Sequence, residues 1–256
     1  MAARRARRGL LAVLTLLVPL ATACGGGSDD AAGQAGSSPT STRPPASTTS
    51  LTTAVPTTVA VTTTLPAAFT SSVATVTAAD LGTSWREGCP VGPDQLRRVT
   101  VTYVDFDGRT QSGTLVVHAD TVVAVQAVFR RLYEARFPVR RIEPVDRYGG
   151  SDDASMAADN TSAFNCRSAV RTDGVEQWSA HAFGRAIDVN PRENPYVLGA
   201  TVLPPEGAAY TDRADARPGM AVAGGPLVEA FAASGWQWGG RWTGSPDYQH
   251  FSADGG

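Results

Sequence analysis

Four side chains in the second half of the chain, His181, Asp188, Asp247 and His250, have the types and spacing of a hydrolytic metal site. They lie in two polar clusters, Ser179-Ala-His181-Ala-Phe-Gly184-Arg-Ala-Ile-Asp188-Val-Asn190 and Asp247-Tyr-Gln-His250-Phe. A catalytic zinc ion takes three protein ligands of His and carboxylate type and keeps one position open for water. A separate carboxylate then moves that water's proton. In this reading His181, Asp188 and His250 supply the ligands and Asp247 the base. The chain has 3 histidines in all, so only His118 lies outside the clusters. It ends an alternating apolar run just before Asp120 and reads as a surface residue at a strand end. An isolated Asp or His in a Gly-rich segment is ordinarily a turn former or a solvated side chain. The metal reading is carried by the complete set at these spacings.

The local structure must bring these groups together. Along a strand, alternate residues share a face, so Ala186, Asp188 and Asn190 are expected to point one way while Ile187 and Val189 enter the core. A straight strand would hold His181 and Asp188 about 23 Å apart. A bend is therefore required, and Gly184 allows it. Asp247 and His250 would fall on opposite faces of an ideal strand, so the Gly244-Ser-Pro246 stretch is expected to put Asp247 on a turn that delivers His250 into a strand.

Upstream, residues 98–106 and 110–118 read as two strands around the hairpin turn Asp107-Gly108. Residues 120–136 carry apolar side chains at helical spacing (Val122, Val123, Val125, Val128, Phe129, Leu132), with Asp120 or Thr121 as the cap. Residues 137–145 look extended, and 225–235 suggest a second helix running into Trp236 and Trp238. Helices mixed with a small antiparallel sheet define an α+β domain.

The two clusters resemble the signature of the M15 family of zinc D,D-carboxypeptidases and peptidoglycan endopeptidases, S-x-H-x-x-G-x-A-x-D followed by an acid-x-x-H element. Ser179, His181, Gly184, Ala186 and Asp188 fill the first element, and Asp247 and His250 the second. The resemblance covers roughly residues 141–252 and continues more weakly back to about 77. Ser162-Ala-Phe-Asn-Cys-Arg167, Asn194-Pro-Tyr196 and Gly235-Trp-Gln-Trp-Gly-Gly240 fit exported actinobacterial members of the family. Carried over, it implies a Hedgehog/D,D-peptidase type of fold, one Zn2+ on His181, Asp188 and His250, and Asp247 as catalytic base. M15 enzymes use an upstream arginine to polarise the scissile carbonyl. Arg167 is the candidate here, with Arg171, Arg185 and Arg241 as competitors. Ser179 is expected to make a supporting contact rather than to attack anything. Trp238 and Trp242 either wall the substrate groove or pack in the core.

The rest of the chain concerns delivery. Residues 1–23 combine a basic start (Arg4, Arg5, Arg7, Arg8) with a short apolar run and read as a lipoprotein-type signal peptide. Leu20-Ala-Thr-Ala-Cys24-Gly25 resembles a lipobox, in which Cys24 would become lipidated. Ala21-Thr-Ala23 also suits an ordinary signal peptidase, which would leave the protein fully secreted. Export is oxidising and 3 cysteines leave one unpaired. Lipidation of Cys24 removes the oddity and leaves Cys89 and Cys166 as a disulfide. Residues 24–76, rich in Thr, Ser, Pro and Gly, cannot build a core and read as a disordered tether. If flexible, it would span about 40 Å. Residues 77–256 are then one compact catalytic domain.

These readings bound the function. All 22 basic residues are arginines, which excludes the penicillin-binding type of serine peptidase, because its nucleophile needs a lysine three residues on. There is no G-x-S-x-G elbow and no H-E-x-x-H helix. The expected activity is zinc-dependent hydrolysis of amide bonds in peptidoglycan stem peptides by a monomer at the outer face of the cytoplasmic membrane or in the wall. No nucleic-acid partner is expected. An Asp in the acid-x-x-H element is typical of the family branch containing L-alanyl-D-glutamate endopeptidases, so Asp247 favours that specificity. The alternatives are a D-alanyl-D-alanine carboxypeptidase and a non-catalytic wall-binding lipoprotein.

Overall fold

The computed structural model describes residues 68–169 and 176–255. Strand β1 (Ser71–Thr75) leads to the short helix α1 (Ala78–Leu81), whose first turn is capped by the side chain of Thr77. Strands β2 (Leu96–Val104) and β3 (Thr110–His118) form the expected antiparallel hairpin, with Leu96 opposite His118 and Val104 opposite Thr110. Asp105 organises the turn by accepting the N–H groups of Asp107 and Arg109 on one carboxylate oxygen.

The boundary at residue 77 is corrected by β1. It pairs antiparallel with β2, Ser71 opposite Val101 and Thr75 opposite Arg97, and makes the sheet order β1-β2-β3. Its side chains are mostly exposed, so no apolar alternation marked it within the Thr/Ser-rich stretch. The backbone ladder holds it. Residues 1–67, with the expected signal peptide, Cys24 and most of the expected tether, lie outside the described residues.

Helix α2 (Val122–Glu134) buries Val122, Val125, Val128, Phe129 and Leu132. Val123, which shares the apolar spacing, instead faces solvent at 77% exposure. Thr121 is the N-cap, as expected, but makes no side-chain cap hydrogen bond. The helix is entered through a 3-10 turn whose own cap is His118. Thr121 turns its hydroxyl back to the His118 carbonyl, and Asp120 pairs with Arg185.

Further along come α3 (Asp152–Ala157), β4 (Ala186–Asp188), the hairpin of β5 (Tyr196–Leu198) and β6 (Thr201–Leu203), α4 (Pro226–Ala232), β7 (Gln237–Trp238) and β8 (His250–Ser252). β4, β8 and β7 make a second antiparallel sheet in that order. The domain is α+β, with one core in which α2 and α4, the latter through Phe231, pack with the inward residues of both larger sheets, among them Val101, Leu115, Ile187 and Phe251. Phe231 stacks on Phe251 at 4.1 Å between centroids. Each such buried ring contributes roughly 2–3 kcal/mol from removal of apolar surface from water.

Ile187 and Val189 enter that core as expected. Asn190 departs from the expected strand face. Its φ is 46°, it lies past the end of β4, and it is buried. Its side chain accepts from the Arg140 N–H and donates to the carbonyls of Pro138 and Gly219. The phase of the strand ends at Asp188, and Asn190 clamps the turn that follows. A smaller cluster of Leu81, Leu96, Val116, Phe164 and Cys166 contains the disulfide Cys89–Cys166, as expected from the cysteine count.

Candidate metal and active site

Each of the four chemical side chains is delivered by a local device that the sequence supplies. Ser179 accepts the His181 N–H on its hydroxyl and so starts the 3-10 turn Ala180–Phe183 that carries His181. Gly184 ends the turn at φ 67°. A Cβ there would stand 2.7 Å from the backbone nitrogen of His118, which donates to the Gly184 carbonyl at 2.8 Å. The chain reverses at this point and enters β4, which is the bend required between His181 and Asp188.

The second cluster is placed by β-pairing. β8 lies against β4 with Ile187 opposite Phe251 and Asp188 opposite His250. Asp247 sits on the turn just before β8, where its carbonyl accepts the His250 N–H. Its own N–H donates to Gly239, and it bridges to Tyr196 of β5.

The outcome is a closed triangle of donor atoms. His181 Nε2 lies 3.1 Å from Asp188 Oδ2 and 3.2 Å from His250 Nδ1, and His250 Nδ1 lies 3.2 Å from Asp188 Oδ1. All three residues are buried. His181 Nδ1 donates to the Ala163 carbonyl at 2.6 Å, which assigns its proton and leaves a lone pair on Nε2 facing the carboxylate. Acceptor against acceptor in a buried place is an arrangement that a cation relieves. Four tetrahedral ligands at zinc-like bond lengths stand about 3.3 Å apart, close to the edges found here. His181, Asp188 and His250 can therefore hold a metal ion, and two imidazoles with one carboxylate form a donor set that suits zinc.

When no metal is bound, a proton on His181 Nε2 relieves the same clash, and the electrostatics show its pull. Burial by itself would raise the Asp188 carboxyl, but the charges and hydrogen bonds of His181 and His250 outweigh it and hold Asp188 well below the usual carboxylate range. Burial opposes a charged His181, yet Asp188 beside it raises the ring above its ordinary value. Asp247 behaves in the opposite way. Burial, aided by the charge of Asp188, pushes it up to about 7 against the pull of His250 and Arg167. Its Oδ1 is buried without a hydrogen-bond partner. A carboxyl poised near neutrality beside a metal site is suited to general acid and base work.

These groups open into a cavity of about 430 Å³ lined by side chains from α3, the two clusters, β5 and β6. Of the four candidate arginines, Arg167 lines it. Arg185 is engaged with Asp120 and Asp254, Arg241 is exposed and not part of the wall, and Arg171 lies outside the described residues. The two tryptophans divide their roles. Trp238 belongs to the core and donates its indole N–H to the Tyr248 carbonyl, whereas Trp242 lines the cavity with its ring 5.2 Å from that of His250.

Several wall residues escaped sequence reasoning, notably Asp152, Met156, Trp178, Tyr196 and Gln249. Asp152 belongs to an Asp-Asp pair at a helix start and looks like a capping acid. Only its pairing with Arg167 at 2.7 Å distinguishes it. Gln249, directly before His250, was within reach of motif reasoning but has no spacing rule to single it out.

Residues 173–253 match the family model described as D-alanyl-D-alanine carboxypeptidase, Peptidase_M15_4, a stretch that contains His181, Asp188, Asp247 and His250. No curated protein and no solved structure gives a significant match. The match supports an M15-type peptidase over that stretch.

Proposed function

We propose that the protein is an exported zinc peptidase that cuts amide bonds in peptidoglycan stem peptides, with the specificity of an L-alanyl-D-glutamate endopeptidase. The observation that carries the zinc reading is the buried triangle of His181 Nε2, Asp188 and His250 Nδ1, with edges of 3.1–3.2 Å. When bound there, zinc supplies Lewis acidity toward a water and toward the scissile carbonyl.

The chain's own residues account for the remaining steps. Asp247 accepts the proton of the attacking water on its unpartnered oxygen and returns it to the departing amine. Arg167 offers guanidinium N–H groups to the oxyanion that develops on the substrate carbonyl. The Ala163 carbonyl holds the His181 ring in one tautomer and one orientation. Trp178, Tyr196 and Trp242 give the cavity apolar walls that bind substrate and exclude bulk water.

The endopeptidase reading draws support from charge as well as from Asp247. Among the described residues, Arg167 is the only arginine lining the cavity, and it is already paired with Asp152. A carboxypeptidase must hold the terminal carboxylate of its substrate in addition to the oxyanion. D-alanyl-D-alanine carboxypeptidase is the second reading, favoured by the description of the matching family. Mass spectrometry of stem peptides incubated with the zinc-loaded protein separates the two. Cleavage beside the first L-Ala is expected, and release of free D-Ala from a pentapeptide would establish the alternative. Tight wall binding without cleavage at saturating zinc would replace both by a binding role. Export with lipidation at Cys24 is part of the proposal, and the mass of the mature N-terminus tests it.

A further inference from the structure

The side chain of Arg167 is aimed by one carboxylate. Its Nη2 lies 2.7 Å from Asp152 Oδ2, with the two side chains 23% and 20% exposed. Among the described residues, Nη1 reaches only the carbonyl of the adjacent Ser168, at 3.2 Å, and Nε is buried with no acceptor. Remove Asp152 and that single bond to the neighbouring backbone is the one described contact left on the guanidinium.

The two backbones that carry this pair are themselves fixed to one another. Asn165 donates its side-chain amide to the Gly150 carbonyl at 3.2 Å, two residues before each partner. Ser151 caps α3 by accepting the Ala154 N–H, which sets the first turn from which Asp152 projects. On the other side, Cys166 is held by the disulfide and by its N–H to the Ser84 carbonyl, and the Arg167 carbonyl accepts from Ser179 N–H. That last bond ties Arg167 to the residue that starts the His181 turn.

The cavity also gives the arginine a wrong place to go. Asp188 and Asp247 both line it, and Asp247 has an unpartnered oxygen. An arginine free to choose its rotamer would be drawn to that oxygen, occupying the position the base needs for water. The Asp152 carboxylate, already bonded to the guanidinium at 2.7 Å, competes with that oxygen for it.

We propose that Asp152 is the positioning residue for Arg167: its carboxylate directs the guanidinium toward the substrate carbonyl and keeps it off Asp247. The proposal rests on the reading of this cavity as a peptidase site. It excludes a direct role for Asp152 in gripping a substrate ammonium group, which the same carboxylate could otherwise serve.

A double-mutant cycle in the zinc-loaded protein tests it, with Asp152→Ala, the isosteric Asp152→Asn, Arg167→Ala and the double variant. Asp152→Ala is expected to lower kcat about 10- to 100-fold while KM and zinc content stay within about twofold, and to cost less than about twofold in the Arg167→Ala background. An equal loss in both backgrounds, or a loss confined to KM, overturns it. A second readout needs no turnover. The 15N-labelled Arg167 Nε–H resonance is expected to move in Asp152→Asn while the His181 and His250 ring signals stay put, and an unmoved Arg167 signal overturns the pairing. If the wild-type protein cleaves nothing, the peptidase reading falls, and the resonance still decides whether Asp152 aims Arg167.

Discussion

Asp188 and His250 stand directly opposite each other across the β4–β8 pair although sixty-two residues separate them in sequence, and their side chains meet at 3.2 Å. The candidate metal site is thus coupled to a strand register. A slip of β8 by one residue would turn His250 away from Asp188 and His181. The same register places Ile187 against Phe251 in the core, so apolar packing on one face fixes the ligand pair on the other.

Removing one ligand should therefore empty the site without unfolding the domain. Asp188→Ala is expected to weaken zinc binding by more than a hundredfold, roughly 3 kcal/mol, and to abolish cleavage. Metal content after gel filtration and a competition titration with a chelating dye check the first part. Retained stoichiometric zinc would remove Asp188 from the ligand set.

Gly239 is a packing constraint on the same site. A Cβ there would lie 2.8 Å from the Asp247 carbonyl oxygen, 3.2 Å from the Asp247 Cβ and 3.3 Å from the His250 Cβ. Gly239→Ala must push Asp247 and His250 together or apart, because backbone on one side cannot yield as a flexible side chain would. The expected cost is about 1–3 kcal/mol of stability, with turnover reduced about tenfold or more. Thermal unfolding and steady-state rates measure the two effects. Wild-type values for both would show that the site tolerates the shift.

A buried acid away from the candidate metal site is expected to set part of the pH dependence of stability. Glu193 is 1% exposed, and burial together with the nearby Asp159 raises it to about 7, against the pull of Arg140 at 3.5 Å. The folded protein therefore binds this proton more tightly than the unfolded chain, whose glutamate titrates near 4.5. The stabilising contribution is full below that value and is lost as pH rises through about 7. Glu193→Gln should flatten this slope and stabilise the protein at pH 8 by on the order of 1–3 kcal/mol. Urea denaturation of the metal-free protein at pH 5 and pH 8 gives the comparison. An unchanged slope would place the titration elsewhere.

The disulfide joins Cys89 to Cys166 across a sequence separation of 77, immediately before Arg167. Replacing both cysteines by serine is expected to cost about 2–5 kcal/mol, read as a lowered denaturation midpoint. Turnover should fall more than zinc affinity, because Cys166 adjoins Arg167 and the three metal ligands lie elsewhere in the chain. Equal losses in the two would instead indicate general loosening of the domain.

The candidate metal ligands and the candidate base were legible in the amino-acid sequence because coordination chemistry restricts such groups to a few residue types, and the turns that deliver them, at Ser179, Gly184 and Asp247, are local. The β2–β3 hairpin and α2 were legible for a similar reason, since their apolar periodicity runs through contiguous residues. Tertiary structure decided the rest. It put Arg167 rather than Arg185 or Arg241 on the cavity wall, paired it with Asp152, put Trp238 in the core and Trp242 on the cavity wall, and recruited Ser71–Thr75 into a sheet. An arginine or an aspartate has the same chemistry wherever it stands, and an exposed edge strand carries no apolar pattern. Their roles come from which distant groups the packed chain sets beside them.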